Sequence, residues 1–204
     1  MAEYPGEFEF DAMLTDGSVV HVRPIRPSDA ELEHEFILRV GPQSMYQRFF
    51  QAKRDLTPEE LRYFTTVDYV DRMALIVLDG ERMVAVGRYD VDPDREPRTA
   101  EVAFLVEDEY QGRGIGSILL QHLTTHARVH GITAFDAYVL ADNFGMMRLF
   151  RSSGYHVTRT LDEDVYRVEF PIDYSPEARA ADAEYERRAV ASSITPIFFP
   201  RRIA

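Results

Sequence analysis

The sequence holds no cysteine. Disulfides, thiolate metal sites and a cysteine nucleophile are therefore excluded. No apolar run approaches the ~20 residues that span a bilayer, so no membrane role is expected. The first residues, Met1-Ala2-Glu3-Tyr4-Pro5-Gly6-Glu7, are acidic and lack the apolar core of a signal peptide. These absences fit the cytoplasm, which is the expected location. Basic charge is scarce too: Lys and Arg number 23 against 35 Asp and Glu, a formal net charge of −12. Such a field repels phosphate backbones, so non-specific nucleic-acid binding is not expected; a lysine-bearing partner suits it better. Internal repeats and low-complexity segments are also missing. What is there is ordinary globular composition: 204 residues, 45% hydrophobic and 28% charged. That is enough for one full core with an appendage.

The most informative stretch runs from Ala100 to Leu123. Ala100-Glu101-Val102-Ala103-Phe104-Leu105-Val106 reads as a short buried strand. After Glu107-Asp108-Glu109-Tyr110, Gln111-Gly112-Arg113-Gly114-Ile115-Gly116-Ser117 has glycine at every second position. Ile115, Ile118, Leu119 and Leu123 then follow helical spacing. Strand, glycine turn and helix bring free backbone N–H groups and a helix N-terminus to one point, where anions bind. A P-loop would need Gly-Lys-Ser/Thr, but Gly116 is followed by Ser117-Ile118. A dinucleotide loop would need glycine where Ser117 stands. The pattern Gln/Arg-x-x-Gly-x-Gly/Ala is met by Gln111, Gly114 and Gly116. A tight connection with no ligand would not need three glycines.

Around this stretch the chain predicts an N-terminal hairpin, from Glu7 to Leu14 and Val19 to Val22, turning at Thr15-Asp16-Gly17. Ser28-Asp29 start a helix, with Glu31 at capping-box spacing from Ser28, and Gly41-Pro42 stop it. A second helix covers Ser44 to Gln51. Thr57 caps a third, with Pro58 at its first position. Met73–Leu78 and Met83–Tyr89 form a hairpin across Asp79-Gly80. The helix after the glycine turn ends at Gly131. Ala134–Leu140 is a strand, Asn143 caps a helix from Phe144 to Ser152, and 156–160 with 165–170 close a last hairpin. The fold class is α/β: a mixed, mostly antiparallel central sheet flanked by helices.

The loop Gln111–Gly116 resembles the acetyl-CoA pyrophosphate loop of the GNAT N-acetyltransferase superfamily. The order of elements from Ser18 to Ile172 resembles the GNAT order. Two further runs, Asp16-Gly17-Ser18-Val19-Val20-His21-Val22-Arg23-Pro24-Ile25-Arg26-Pro27-Ser28-Asp29 and Ser44-Met45-Tyr46-Gln47-Arg48-Phe49-Phe50, are similar to bacterial Pat-type protein lysine acetyltransferases. The resemblance implies acetyl-CoA as cosubstrate, no metal, and transfer of acetyl to a lysine of a protein. It also implies AMP-forming acyl-CoA synthetases as targets, inactivated by acetylation. It assigns cofactor contacts to Gln111, Gly112, Arg113, Gly114, Ile115, Gly116 and Ser117. Phe104, Leu105 and Val106 would offer backbone groups to the pantetheine arm, and Asn143 matches an asparagine that touches it.

An attacking amine must be neutral, and a free lysine has a pKa of ~10.4, so a base is needed. Glu101 is the candidate, since a lone glutamate in an apolar strand is costly unless paired or functional. Burial would raise its pKa toward that of a useful base. A glutamate at the matching place in Pat-type enzymes acts as base. The plainer alternative is a salt bridge to an arginine such as Arg88. Alternation puts Glu101, Ala103 and Leu105 on one face of the strand.

Many GNAT enzymes place an acidic tyrosine where this chain has Phe150, which has no proton to give; Tyr138 is a possible substitute. His122, His126 and His130 have metal-compatible spacing, but the expectation is that they edge an apolar face. Glu107-Asp108-Glu109 are expected to be a solvated loop face. Residues 1–174 form the expected domain. Residues 175–204 read as a helix and linker leading into a missing acyl-CoA-synthetase-like domain. Three other functions stay open: acetylation of a small-molecule amine, a dinucleotide-dependent oxidoreductase using Asp136, and a non-catalytic acyl-CoA-sensing module.

Overall fold

The computed structural model describes residues 3–172 and residue 183. The C-terminal helix, linker and apolar end expected over 175–204 lie outside the described residues, apart from residue 183. The strands are β1 (Phe10–Met13), β2 (Val19–Pro24), β3 (Arg72–Asp79), β4 (Arg82–Val91), β5 (Thr99–Val106), β6 (Ala134–Leu140), β7 (Thr158–Asp162) and β8 (Val165–Pro171). The α-helices are α1 (Ala30–Arg39), α2 (Pro42–Phe49), α3 (Pro58–Thr65), α4 (Ile115–Val129) and α5 (Phe144–Ser152). They realise the predicted α/β class, with helices on both faces of one sheet.

That sheet has eight strands in the order β1-β2-β3-β4-β5-β6-β8-β7. Its neighbours are antiparallel except β5 and β6, which run parallel. β3 is buried on both sides, so it reads as a continuous apolar run. Met73, Leu75 and Val77 enter one core with α4 and α5, while Ala74, Ile76 and Leu78 enter the other with α1 and α2. On β5, Val102 and Phe104 join the first core and Leu105 the second, as alternation requires.

The β5–β6 pairing is short. It runs from Thr99↔Ala134 to Glu101↔Asp136 and then stops. Beyond Glu101 the two strands part, and β5 is bonded to β4 alone as far as Val106. A parallel strand pair that splays leaves a wedge with unpaired backbone on its walls.

The helix starts follow local chemistry. Thr57 accepts from the Glu60 N–H at 3.2 Å, and Glu60 returns a bond to the Thr57 N–H at 2.8 Å. This is the capping box that the Thr-Pro-Glu-Glu run predicts, a feature contributing ~1 kcal/mol. The Ser28–Glu31 box does not form. Asp29 accepts instead from the Arg26 N–H at 2.7 Å and pairs with Arg23, ending a short 3₁₀ turn before α1. Pro42, expected to stop α1, also opens α2, two residues earlier than the predicted Ser44 start.

Candidate active site

The glycine turn sits at the mouth of the wedge. Gly112 and Gly114 have φ of 75° and 94°, left-handed values that suit a residue without Cβ. Gly114 serves as the N-cap of α4 with no side-chain cap. The N–H groups of Gly112, Arg113, Gly114, Ile115 and Gly116 meet no acceptor among the described residues. Five unmatched donors at a helix start form an anion site made of backbone alone. That donor set fits a pyrophosphate such as that of coenzyme A. A Cβ on Gly116 would come within 3.2 Å of Leu149, so the turn is also packed closely against α5.

From this turn a cavity of about 380 Å³ runs along the β5–β6 wedge and under α2. Phe104, Leu105, Val106, Gln111, Gly112, Gly114, Ile115, Gly116, Ser117 and Asn143 all line it, and so does Glu101. Arg113 does not. Its guanidinium pairs with Asp16 at 3.1 Å and lies over the Tyr110 ring at 4.8 Å. Of Arg113, the backbone N–H is what faces the anion site. The Gln111 side chain donates to the Val106 carbonyl at 3.1 Å and to the Ser44 hydroxyl at 3.0 Å, tying the turn to β5 and α2. Asn143 caps α5, accepting from the Met146 N–H at 3.0 Å. Phe104 and Phe150 pack near each other, and the Phe150 side chain is fully buried although it borders the cavity. The Tyr138 phenol is exposed on β6 and borders the same cavity.

Glu101 stands at the last paired position before the strands part. It was expected to be buried inside its strand. The structure leaves its side chain exposed on the cavity instead, because β6 turns away just beyond it. Desolvation by the surrounding walls still raises its pKa; Arg48 opposes that rise, while Asp136 and Asp90 add to it. The alternative salt bridge to Arg88 is absent. Arg88 is buried against Glu33 at 2.8 Å and donates to the Phe64 carbonyl at 3.2 Å. Glu101 has no hydrogen bond or ion pair among the described residues.

The acidic run before the turn is a solvated face only in part: Asp108 and Glu109 are exposed, Glu107 is not. Glu107 is buried and pairs with Arg82 and, at 3.5 Å, with Arg39. Asp108 accepts from the Gly41 N–H and the Ser44 hydroxyl, both at 2.7 Å. These bonds hold the start of α2 against the turn, which spacing along the chain could not reveal. The histidines follow the apolar-face expectation. His122 and His126 are buried, and burial pulls their pKa values down to about 4 and about 3. His126 Nδ1 is 2.8 Å from the Tyr89 hydroxyl. Among the described residues no cluster suits a metal ion, and no helix is long and apolar enough to cross a membrane.

Ser44, Gln47 and Arg48 of α2, with Phe50 just after it, complete the cavity. Sequence reasoning assigned them no role. Their signal was the resemblance of the run Ser44–Phe50, which marks family without saying why.

Known proteins resemble this chain. Residues 42–155 match the model of the acetyltransferase (GNAT) family. The chain is 34% identical over 162 residues to acetyltransferase Pat of Mycolicibacterium smegmatis, covering 78% of this chain and 47% of that protein. It is 33% identical over 154 residues to acetyltransferase PA5475 of Pseudomonas aeruginosa, covering 74% and 82%. The chain thus spans about half the length of the first relative and most of the second. The solved GNAT domain of S. lividans PAT is 40% identical and superposes with a TM-score of 0.78 over 83% of this chain and 99% of that domain. A matched family model, two similar acetyltransferases and the superposed domain agree: the chain belongs to the GNAT family, whose members are acetyl-CoA-dependent N-acetyltransferases.

Proposed function

We propose that this protein transfers acetyl from acetyl-CoA to the ε-amine of a lysine on another protein, an AMP-forming acyl-CoA synthetase, and so inactivates it. The observation that carries the reading is one cavity with a five-donor anion site at one end and an unpaired carboxylate, Glu101, at the strand split. The target class rests on similarity to Pat. The short pairing of β5 leaves backbone groups of Phe104, Leu105 and Val106 to receive an extended pantetheine arm, as a strand receives a strand.

In the proposed chemistry Glu101 takes a proton from the lysine ammonium, directly or through a water. The neutral amine attacks the thioester carbonyl carbon, and the carbonyl electron pair moves onto oxygen. A backbone N–H of β5 in the wedge stabilises that oxyanion. The adduct nitrogen gives its second proton to solvent water, collapse breaks the C–S bond and coenzyme A leaves as thiolate, and Glu101 releases its own proton to solvent. A thiol of pKa near ~8.5 leaves tolerably as an anion, so Phe150 in place of an acid is acceptable.

Incubating the protein and its Glu101→Ala variant with radiolabelled acetyl-CoA and purified acetyl-CoA synthetase tests the reading. Label on one lysine, lost in the variant, is expected. Label on polyamines or aminoglycosides and none on protein would replace it with a small-molecule acceptor. Binding without any transfer would point to a sensing module.

A further inference from the structure

Glu101 lies in a row of charged residues that crosses the sheet. Register places Arg72 opposite Asp90, Asp90 opposite Glu101, Glu101 opposite Asp136, and Asp136 opposite Glu169. Residues opposite one another in a sheet share a face, so four carboxylates stand side by side. Three of them have their own arginine. Asp90 accepts from Arg72 at 2.6 Å. Asp136 is held by Arg95 and by Arg167, the latter at 3.2 Å, and Glu169 by Arg95 at 3.1 Å. On the same face Arg88 is saturated by Glu33 of α1 and the Phe64 carbonyl. Among the described residues Glu101 is the member of the row without an ion pair.

Two cations that line the cavity with Glu101, Arg148 of α5 and Arg48 of α2, make no ion pair or hydrogen bond among the described residues. Glu101 shares its strand face with Leu105, which packs into the core of α1 and α2, so Arg48 is the one on its side of the sheet. Its guanidinium lies over the Phe49 ring at 5.2 Å. α2 is anchored there by the Asp108 bonds to Gly41 and Ser44. We propose that Arg48 is a positioning residue for Glu101: its fixed charge keeps the Glu101 side chain a carboxylate at the acceptor end of the cavity. The inference rests on the reading of Glu101 as base.

Electrostatics agree with this placement. Two flanking carboxylates and desolvation favour the neutral acid, and Arg48 is the opposing charge. Arg48 itself is drawn down to about 10 by burial and by Arg88, and held up by Glu101, Asp90 and Glu33, so it stays charged near neutrality. The other ionisable groups lining the cavity are the Arg148 guanidinium on α5 and the phenols of Tyr110 and Tyr138.

The test is a titration of the free protein carrying ¹³C-labelled glutamate side chains. The Glu101 resonance is identified by its loss in Glu101→Gln. In Arg48→Gln its midpoint should rise by about one pH unit, and in Arg48→Lys it should stay within ~0.3 of the wild type. Acetyl transfer by Arg48→Gln should fall further at pH 6 than at pH 8, by several-fold and by no more than about tenfold. An unmoved midpoint with an equal loss of rate at both pH values would reduce Arg48 to a packing role and overturn the inference. Full activity of Glu101→Gln would instead sink the base assignment, whatever the titration gives.

Discussion

The two ends of the cavity are built from different materials. The anion end is backbone: free N–H groups between Gly112 and Gly116, with the Arg113 side chain turned onto Asp16. The acceptor end is side chain: Glu101 and Arg48 left over from a dense set of ion pairs on the same sheet face. Backbone donors depend on local φ and on the absence of Cβ, so they are encoded in a few adjacent residues. A leftover charge pair depends on where every neighbouring charge has gone. It is therefore encoded across the whole sheet and sensitive to changes far along the chain.

The comparison is broken if substitutions at the two ends fail to separate binding from chemistry. The largest effect expected is for Glu101→Gln: kcat lower by ~10²–10⁴ with acetyl-CoA affinity within about twofold of wild type. Steady-state kinetics and calorimetry read the two quantities. Next comes Arg88→Met, which leaves Glu33 buried and charged without a partner. It should cost ~3–5 kcal/mol of stability in denaturant unfolding, showing that the acceptor end stands on buried pairs.

Gly114→Val should weaken acetyl-CoA binding roughly 10- to 100-fold while kcat at saturation changes little. It forces a β-branched residue to φ 94°, with its Cβ 3.3 Å from Thr15. The smallest change is expected for Arg113→Ala, a rise in Kd of roughly two- to threefold, because an exposed Arg–Asp pair contributes little. A hundredfold loss there would mean that the arginine side chain, not the backbone, holds the anion.

Legibility followed the same division. The turn at Gln111–Ser117, the Thr57 cap and the boundaries of β6 were readable because each rests on contacts within a few residues. The fate of Glu107 and Asp108 was not. Their partners, Arg82, Arg39, Gly41 and Ser44, lie 25 to 68 residues away and are reached through folding, so local sequence made them look solvated. Arg88 was the nearest plausible partner for Glu101 by strand proximity, yet Glu33, 55 residues earlier, claims it. Glu101 stood out as the odd residue in an apolar strand, but its exposure was misjudged. Whether a strand residue is buried depends on how far the next strand keeps pairing, and no property of β5 alone sets that.

By itself the sequence determined the elements, their order and a glycine turn with free N–H groups, since hydrophobic period, caps and glycine act over one or two turns of chain. Tertiary structure decided that β5 and β6 part after Glu101, that α2 closes over the gap, and that Glu101 and Arg48 meet there with no ion pair among the described residues. Those outcomes come from competition among long-range contacts, and such a competition is settled only when all the contacts form together.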